Sequence, residues 1–294
     1  MSLDYDHLRA LSAILRTGSF DAAAATLGVT PSAVSQRLKT LEEQVGARLV
    51  LRAVPCVGTE LGQRLARHAD DVALMEAELL PEQSEPARLS VAINADSLAI
   101  WAIPAFATQS ALRFDLTVVD QDHSAQLLKE GRVAAAITTR AQAVQGCDSI
   151  PLGALEYIAT ASPGFASIWF ANGVTAQALS AAPALIFDRK DDLQRAWALQ
   201  ETGQSMTPSG HVMPSTQAFV AAAEAGMGWG MNPAALVAEP LARRTLVALG
   251  NSPSFRTDLY WQISRRLAPH LQDLTRELCL AAKTHLVAPD ARNR

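Results

Sequence analysis

Residues 19–52 constrain the fold more than any other stretch, because they have the pattern of two helices joined by a tight turn. Ser19 can cap the first helix, and Gly28 supplies the left-handed turn conformation that residues with a Cβ resist. Thr30 can then cap the second helix, with Pro31 in its first position, where no N–H is needed. Apolar residues at spacings of four, three and four predict its buried face: Val34, Leu38, Leu41 and Val45.

The remaining faces of the second helix carry short hydrogen-bonding groups and a lysine. A helix in the major groove of DNA needs such groups beside the base edges and cations beside the phosphates. Residues 46–52 then have the pattern of a small strand, or wing, with two arginines next to this helix. We therefore predict a DNA-binding surface formed by Thr30, Ser32, Ala33, Ser35, Gln36, Lys39, Arg48 and Arg52. The alternative is a short helical hairpin buried in a larger α-helical core.

A long helix is predicted from a cap at Thr59 to about Leu80, where Pro81 stops it. The residues of its heptad seam are Leu61, Leu65, His68, Val72, Met75 and Leu79. We predict a dimer interface at the five apolar positions, because the helix would lie between two domains with little of its own chain to cover it. A dimer would place two recognition helices on two half-sites of DNA. The alternative is an ordinary amphipathic helix, which has a similar period.

From Arg88 onward, short apolar runs alternate with helical stretches. This alternation is typical of parallel βαβ units, so we predict an α/β domain. The first set has predicted strands at 89–93, 114–119 and 134–138, and a second set follows. The polar, proline-containing segment at 81–87 is predicted to be a hinge before this domain.

Charge and cysteine content narrow the class of protein. The net charge is −4, yet residues 9–52 carry six arginines and lysines against three acidic residues, so the basic surface is local. The three cysteines are far apart, which is typical of a reducing cytosol rather than of a disulfide framework. The sequence has no apolar signal segment and no bilayer-spanning run, so we expect a cytoplasmic protein without a membrane partner. It also lacks a nucleophile elbow, a phosphate loop and a metal-ligand cluster, so we expect no enzymatic activity, cofactor or metal.

Several segments resemble a known family. Residues 30–52, TPSAVSQRLKTLEEQVGARLVLR, resemble the winged helix-turn-helix of LysR-type transcriptional regulators. Later segments are similar to the lysine- and arginine-responsive branch of that family, ArgP (also called IciA) and LysG: NADSLAIW (94–101), DQDHS (120–124), ITTR (137–140), FDRKDD (187–192), ST-x-AF (215–219), GWGMNP (228–233) and LYWQ (259–262). The resemblance covers nearly the whole chain. At Pro31, relatives often carry a glutamine, so Gln36 and Ser35 become the better candidates for reading bases here.

The resemblance implies a domain plan. Its parts are a winged helix-turn-helix at 1–58, a dimerisation linker helix at 59–80, the hinge at 81–87 and an effector-binding domain at 88–294. The family's effector domain has the two-lobed fold of periplasmic binding proteins. Lobe I is then expected at 88–161 and 265–294 and lobe II at 162–264, with crossings between the lobes near 158–162 and 263–265.

Ligands in such folds lie at the carboxyl ends of strands, near helix N-termini. Residues 94–97 follow the first strand and open a helix, where backbone N–H groups and the Ser97 hydroxyl can hold a carboxylate. Acidic residues across the cleft can hold a cationic side chain, although such residues are equally often only caps. The predicted effector residues are Asn94, Asp96, Ser97, Asp120, Asp122, Thr138, Thr139, Asp188, Asp191, Ser215 and Trp229.

The resemblance also implies a function. We expect a homodimeric or homotetrameric regulator that binds double-stranded DNA, senses lysine or arginine and contacts RNA polymerase. Its target would encode a basic amino-acid exporter or a biosynthetic step. The alternative is a ligand-independent architectural protein of the chromosome. A purely periplasmic solute receptor is disfavoured by the N-terminal module.

Overall fold

The computed structural model describes residues 3–79, 86–119 and 123–289. Residues 81–85 of the predicted hinge lie outside the described residues, as do Asp120 and Asp122. Leu79 belongs to a described helix, but its side chain also lies outside the description. Among the described helices, none combines the length and the apolar character needed to cross a membrane.

The N-terminal domain has the predicted winged helix-turn-helix. Its elements are α1 (Tyr5–Thr17), α2 (Phe20–Leu27), α3 (Pro31–Val45), β1 (Val50–Leu51) and β2 (Val57–Gly58). The hydroxyls of Ser19 and Thr30 accept hydrogen bonds from the first turns of α2 and α3, as predicted. Gly28 ends α2 with a φ of 64°, a conformation that allows the sharp turn into α3. Val34, Leu38 and Leu41 pack inward against α1 and α2, which confirms the predicted buried face.

The long helix α4 (Glu60–Leu79) follows the wing. The N–H of Gly62 donates to the Thr59 hydroxyl at 3.1 Å, so Thr59 is the predicted cap. This helix packs along α1, and Leu61 and Leu65 lie partly buried against the core of the N-terminal domain. The expectation that little of its own chain covers the helix is therefore wrong. The side of the helix that holds Leu61 and Leu65 closes that core, and Leu74, further along the helix, is buried in the core of the C-terminal domain.

The effector domain has two lobes. Lobe I is built on β3 (Ala87–Ile93), α5 (Ala95–Ser97), a π-helical turn (Leu98–Ala102), α6 (Ile103–Ala107), β4 (Leu112–Val118), α7 (His123–Lys129), β5 (Ala135–Thr138) and, at the end of the described chain, a 3-10 turn (Ala268–Leu271) and α13 (Gln272–His285). Lobe II contains α8 (Pro163–Trp169), α9 (Ala176–Ala181), β7 (Ala184–Ile186), α10 (Leu193–Thr202), β8 (Gly210–Val212), α11 (Thr216–Glu224), β9 (Gly230–Pro233), α12 (Ala234–Arg243) and β10 (Val247–Ala248). Two long strands, β6 (Cys147–Ala161) and β11 (Ser254–Ser264), belong to both lobes.

Strand pairing explains how the lobes are joined. The main sheet has the order β10-β6-β11-β5-β3-β4, with β9 added to β6. Strands β3, β4 and β5 are parallel, as predicted for βαβ units. Strands β6 and β11 pair antiparallel along their lengths, with residues 260–263 of β11 on β5 and residues 157–160 of β6 on β9. The crossings therefore precede the predicted positions near 158–162 and 263–265, because residues 157–160 of β6 already pair with a strand of lobe II and residues 260–263 of β11 already pair with a strand of lobe I.

Candidate functional site

The exposed face of α3 carries most of the predicted DNA-binding residues. Ser32, Gln36 and Lys39 are exposed, whereas Ala33 and Ser35 are half-buried. The Thr30 hydroxyl accepts from the N–H of Ala33 at 3.2 Å and shares a 2.9 Å hydrogen bond with the Ser32 hydroxyl. The Thr30 hydroxyl thus caps the helix and also binds the Ser32 hydroxyl, whereas the Gln36 side chain is exposed on the same helix.

The wing segment carries two arginines, one of which contacts α2. Arg48 and Arg52 are both exposed, and the Arg52 guanidinium lies 5.2 Å from the centre of the Phe20 ring. That stacking orients one cation at the edge of the surface. Sequence reasoning missed the part played by Glu42, whose carboxylate accepts from the backbone N–H of Leu49 at 2.7 Å. This contact ties the wing to α3, so the two parts form one surface.

A cavity of about 510 Å³ lies between the lobes of the effector domain. Its walls come from the start of α5 in lobe I, from residues 187–196 and α11 in lobe II, and from the crossing strands β6 and β11. Its acidic residues outnumber its basic ones: Asp96, Asp188, Asp191, Asp192 and Asp258 stand against Lys190 and Arg256. This composition favours a ligand with net positive charge. Among the residues that the structure describes, no group of three or more His, Cys, Asp or Glu residues could hold a metal ion.

Five predicted effector residues line this cavity: Asn94, Asp96, Thr139, Asp188 and Asp191. Four others do not. Ser97 is fully buried in the helix that begins at Ala95, so its hydroxyl does not reach the cavity lining. Trp229 is also fully buried and packs on Trp197, with the ring centres 5.5 Å apart, so it supports lobe II.

Thr138 and Ser215 likewise lie outside the cavity lining. The Thr138 hydroxyl is buried and accepts from the N–H of Arg140 at 3.3 Å. Ser215 caps α11 by accepting from the N–H of Ala218 at 3.3 Å, and its neighbour Thr216 lines the cavity instead.

Each oxygen of the Asp96 carboxylate accepts a hydrogen bond from the protein. The Tyr157 hydroxyl donates to Oδ2 at 2.7 Å, and the Thr216 hydroxyl donates to Oδ1 at 2.8 Å. Burial raises the pKa of Asp96 above its ordinary value, the two hydrogen bonds lower it, and the nearby charge of Asp191 raises it further. Burial also raises the pKa of Tyr157 well above its ordinary value, so the phenol stays protonated and acts as a donor.

Asp191 shapes the acidic loop that faces Asp96. Its carboxylate accepts from the backbone N–H groups of Phe187 and Leu193, at 2.9 and 3.1 Å, and from the Gln194 side chain at 3.0 Å. Burial raises the pKa of Asp191, these hydrogen bonds lower it, and the charge of Asp188 raises it. A second buried carboxylate with a raised pKa therefore lies in the cavity wall.

Sequence reasoning missed the residues that the crossing strands bring into the cavity. Arg256, Asp258 and Tyr260 of β11 line it together with Tyr157 of β6. Arg256 pairs with Glu156 at 3.3 Å, whereas Oδ1 of Asp258 is buried and has no hydrogen-bond partner among the described residues. No alternation in the sequence signals these residues, because Phe255 and Thr257 line the cavity as well and the register of β11 on β6 shifts between Leu259 and Tyr260.

Comparisons with known proteins agree with this geometry. Residues 5–63 match the model of the bacterial regulatory helix-turn-helix protein, lysR family, and residues 82–279 match that of the LysR substrate binding domain. The chain is 42% identical over 285 residues to the HTH-type transcriptional regulator LysG of Mycobacterium tuberculosis, covering 95% of this chain and 94% of that one.

Two solved structures are similar along the full length. The crystal structure of ArgP from Mycobacterium tuberculosis superposes with a TM-score of 0.82 at 40% identity, covering 98% of this chain and 100% of that one. The full-length LysG of Corynebacterium glutamicum with its effector arginine bound gives a TM-score of 0.68 at 32% identity, covering 97% and 100%.

Proposed function

The chain belongs to the lysR family of bacterial regulatory helix-turn-helix proteins, and we propose that it is a transcription regulator whose effector is a basic amino acid. The observation that carries this proposal is the cavity between the lobes, in which five aspartates stand against one lysine and one arginine. A relative of 32% identity has been solved with arginine as its effector, which supports the same ligand class here.

The cavity offers partners for both ends of such a ligand. The cationic groups of lysine or arginine need carboxylates when they leave water, and the aspartates supply them. Asn94 and Thr139, on the lobe I side, can donate to the α-carboxylate from the amide and the hydroxyl. Because lobe I and lobe II both contribute to the walls, a bound effector favours one relative position of the lobes.

The assembled regulator is proposed to be a homodimer or homotetramer that acts on chromosomal DNA in the cytoplasm and contacts RNA polymerase there, rather than an enzyme. Val72 and Met75 of α4 are half-buried in the single chain, and they are the better candidates for the proposed dimer interface. Leu61 and Leu65 already pack within the chain, so they can contribute only their remaining exposed surface.

The deciding experiment is fluorescence anisotropy of the purified protein with its own upstream intergenic DNA and with random DNA at one fixed salt concentration. We expect the protein to bind the intergenic DNA more tightly than the random DNA. Either lysine or arginine should change its affinity for the intergenic DNA. Preferential binding without a response would exclude this effector class. Equal binding to random DNA, with a steep salt dependence, would favour the architectural alternative.

A further inference from the structure

The five cavity aspartates differ in what their carboxylates already bind. Asp96 and Asp191 have protein donors on both oxygens. Asp192 forms a two-point ion pair with Arg195 at the surface, and Asp188 accepts from the N–H of Lys190 at 2.7 Å. These four carboxylates therefore have structural roles that a ligand would have to share.

Asp258 is different because Oδ1 is buried and has no hydrogen-bond partner among the described residues. Native proteins seldom leave a buried polar atom unsatisfied, and an unpartnered carboxylate oxygen is especially unfavourable. Asp258 lies on β11 opposite Ala154 of β6, where the two strands pass from one lobe to the other. Its side chain is thus held by a rigid ladder in the floor of the cavity, and not by a loop.

We propose that Asp258 is the specificity residue that binds the side-chain cation of the effector, an inference that rests on the proposed function. In a basic amino acid, the α-ammonium and α-carboxylate lie beside each other and balance in charge. The side-chain cation is the one charge that the ligand does not balance itself. The buried, unpartnered oxygen of Asp258 is its counterpart in the cavity.

The neighbouring residues agree with this assignment. Arg256, two residues earlier on the same strand, lines the cavity but is paired with Glu156 at 3.3 Å, so its charge is already balanced. Tyr260, two residues later, and Phe255 also line the cavity and offer ring surface to an alkyl chain or a planar guanidinium.

The test compares arginine with citrulline, in which an uncharged urea replaces the guanidinium at nearly the same size. Calorimetry or ligand-induced fluorescence change gives the ratio of the two affinities. In the wild-type protein arginine should bind roughly 10- to 100-fold more tightly, as expected for a charge-assisted hydrogen bond. In Asp258→Asn this ratio should fall toward one, while affinity for intergenic DNA stays unchanged.

Asp148→Asn is the matched control, because it makes the same change in an aspartate of β6 that is paired with Arg265 and does not line the cavity. It should keep the wild-type ratio. If Asp258→Asn weakens arginine and citrulline equally, the residue binds the amino-acid head and the proposal is overturned. An unchanged ratio in Asp258→Asn also overturns it.

A measurement on the wild-type protein covers the case in which Asp258→Asn fails to fold. A crystal structure with arginine should place a guanidinium nitrogen within hydrogen-bond distance of Oδ1 of Asp258, and a guanidinium bound elsewhere rejects the proposal. If the wild-type protein binds neither lysine nor arginine, the proposed function itself fails. Binding with the guanidinium at another aspartate rejects only the role of Asp258.

Discussion

Thr216 of lobe II donates a 2.8 Å hydrogen bond to the buried carboxylate of Asp96 in lobe I. One carboxylate thus joins the two walls of the cavity directly, 120 residues apart in the chain. Any ligand that enters the cleft has to fit beside this contact or replace it.

Removing the Thr216 hydroxyl should destabilise the effector domain. In Thr216→Val, Oδ1 of Asp96 loses its donor while the side chain keeps its size, and an unsatisfied buried acceptor costs about 1–3 kcal/mol. Urea denaturation measures the free energy of unfolding. Tyr157→Phe removes the other donor and should lower it by a similar amount. Two wild-type-like unfolding curves would mean that Asp96 does not depend on these hydroxyls.

Effector affinity should fall as the solution is acidified. Burial raises the pKa of Asp96 and of Asp191 above the ordinary 3.8, so both gain protons at a higher pH than exposed aspartates do. A cationic ligand prefers the ionised carboxylates and should release protons on binding. Calorimetry in buffers of different ionisation enthalpy measures this release, and an affinity for arginine that is constant between neutral pH and the raised pKa values would contradict the prediction.

The same raised pKa values have the opposite effect on the stability of the effector-free protein, which should gain from acidification. Because the folded state binds these protons more tightly than the unfolded state, the contribution of both carboxyls to stability rises as the pH falls through their folded pKa values toward 3.8. Arginine should therefore stabilise the protein most at neutral pH. Thermal denaturation with and without arginine across this range checks the sign.

Gln36→Ala should lower the affinity for the operator by about 1–3 kcal/mol, if the exposed amide contacts a base edge. The change should leave binding to random DNA as it is, because no phosphate contact is removed. Anisotropy titrations on both kinds of DNA measure the difference. An equal loss on both would show that the amide binds the DNA backbone.

Arg52→Ala tests a contact to the DNA phosphates, in contrast to the base contact tested by Gln36→Ala. Its guanidinium is exposed over Phe20 at the edge of the surface, so its loss should weaken binding to every sequence and reduce the slope of log affinity against log salt by about one. Arg243→Ala, in an exposed ion pair with Glu239 in lobe II, is the control and should leave the slope unchanged.

Arg266 anchors the linker helix to the effector domain. Its guanidinium donates to Asp71 of α4 at 2.7 Å, and the Asp71 side chain is only 7% exposed. Arg266→Ala should therefore cost about 1–2 kcal/mol and reduce the effect of arginine on DNA affinity, because β11 links the cavity to this contact. Arg265→Ala is the matched control, since its partner Asp148 is half exposed. Equal effects of both variants would exclude a specific role for Arg266.

The local elements were predictable from the sequence because their causes are local. The structure confirms four predicted caps and turns, whose hydrogen-bond partners lie within three or four residues: Ser19, Gly28, Thr30 and Thr59. The same applies to the buried face of α3. The family resemblance extended this reading to the two lobes, and Asn94 and Asp188, which it placed after strands, both line the cavity.

The cavity itself was decided by tertiary structure. Whether an aspartate is a cap, a bridge or an available acceptor depends on groups far away in the chain, as with Asp96 and Thr216. Asp258 enters the cavity through the register of β11 on β6, which no local pattern specifies. Similarly, α4 buries Leu61 and Leu65 because α1 lies beside it. Helix caps follow from hydrogen bonds between residues that are close in the sequence, so the sequence determines them. Ligand contacts follow from packing between residues that are far apart in the sequence, which only the folded chain defines.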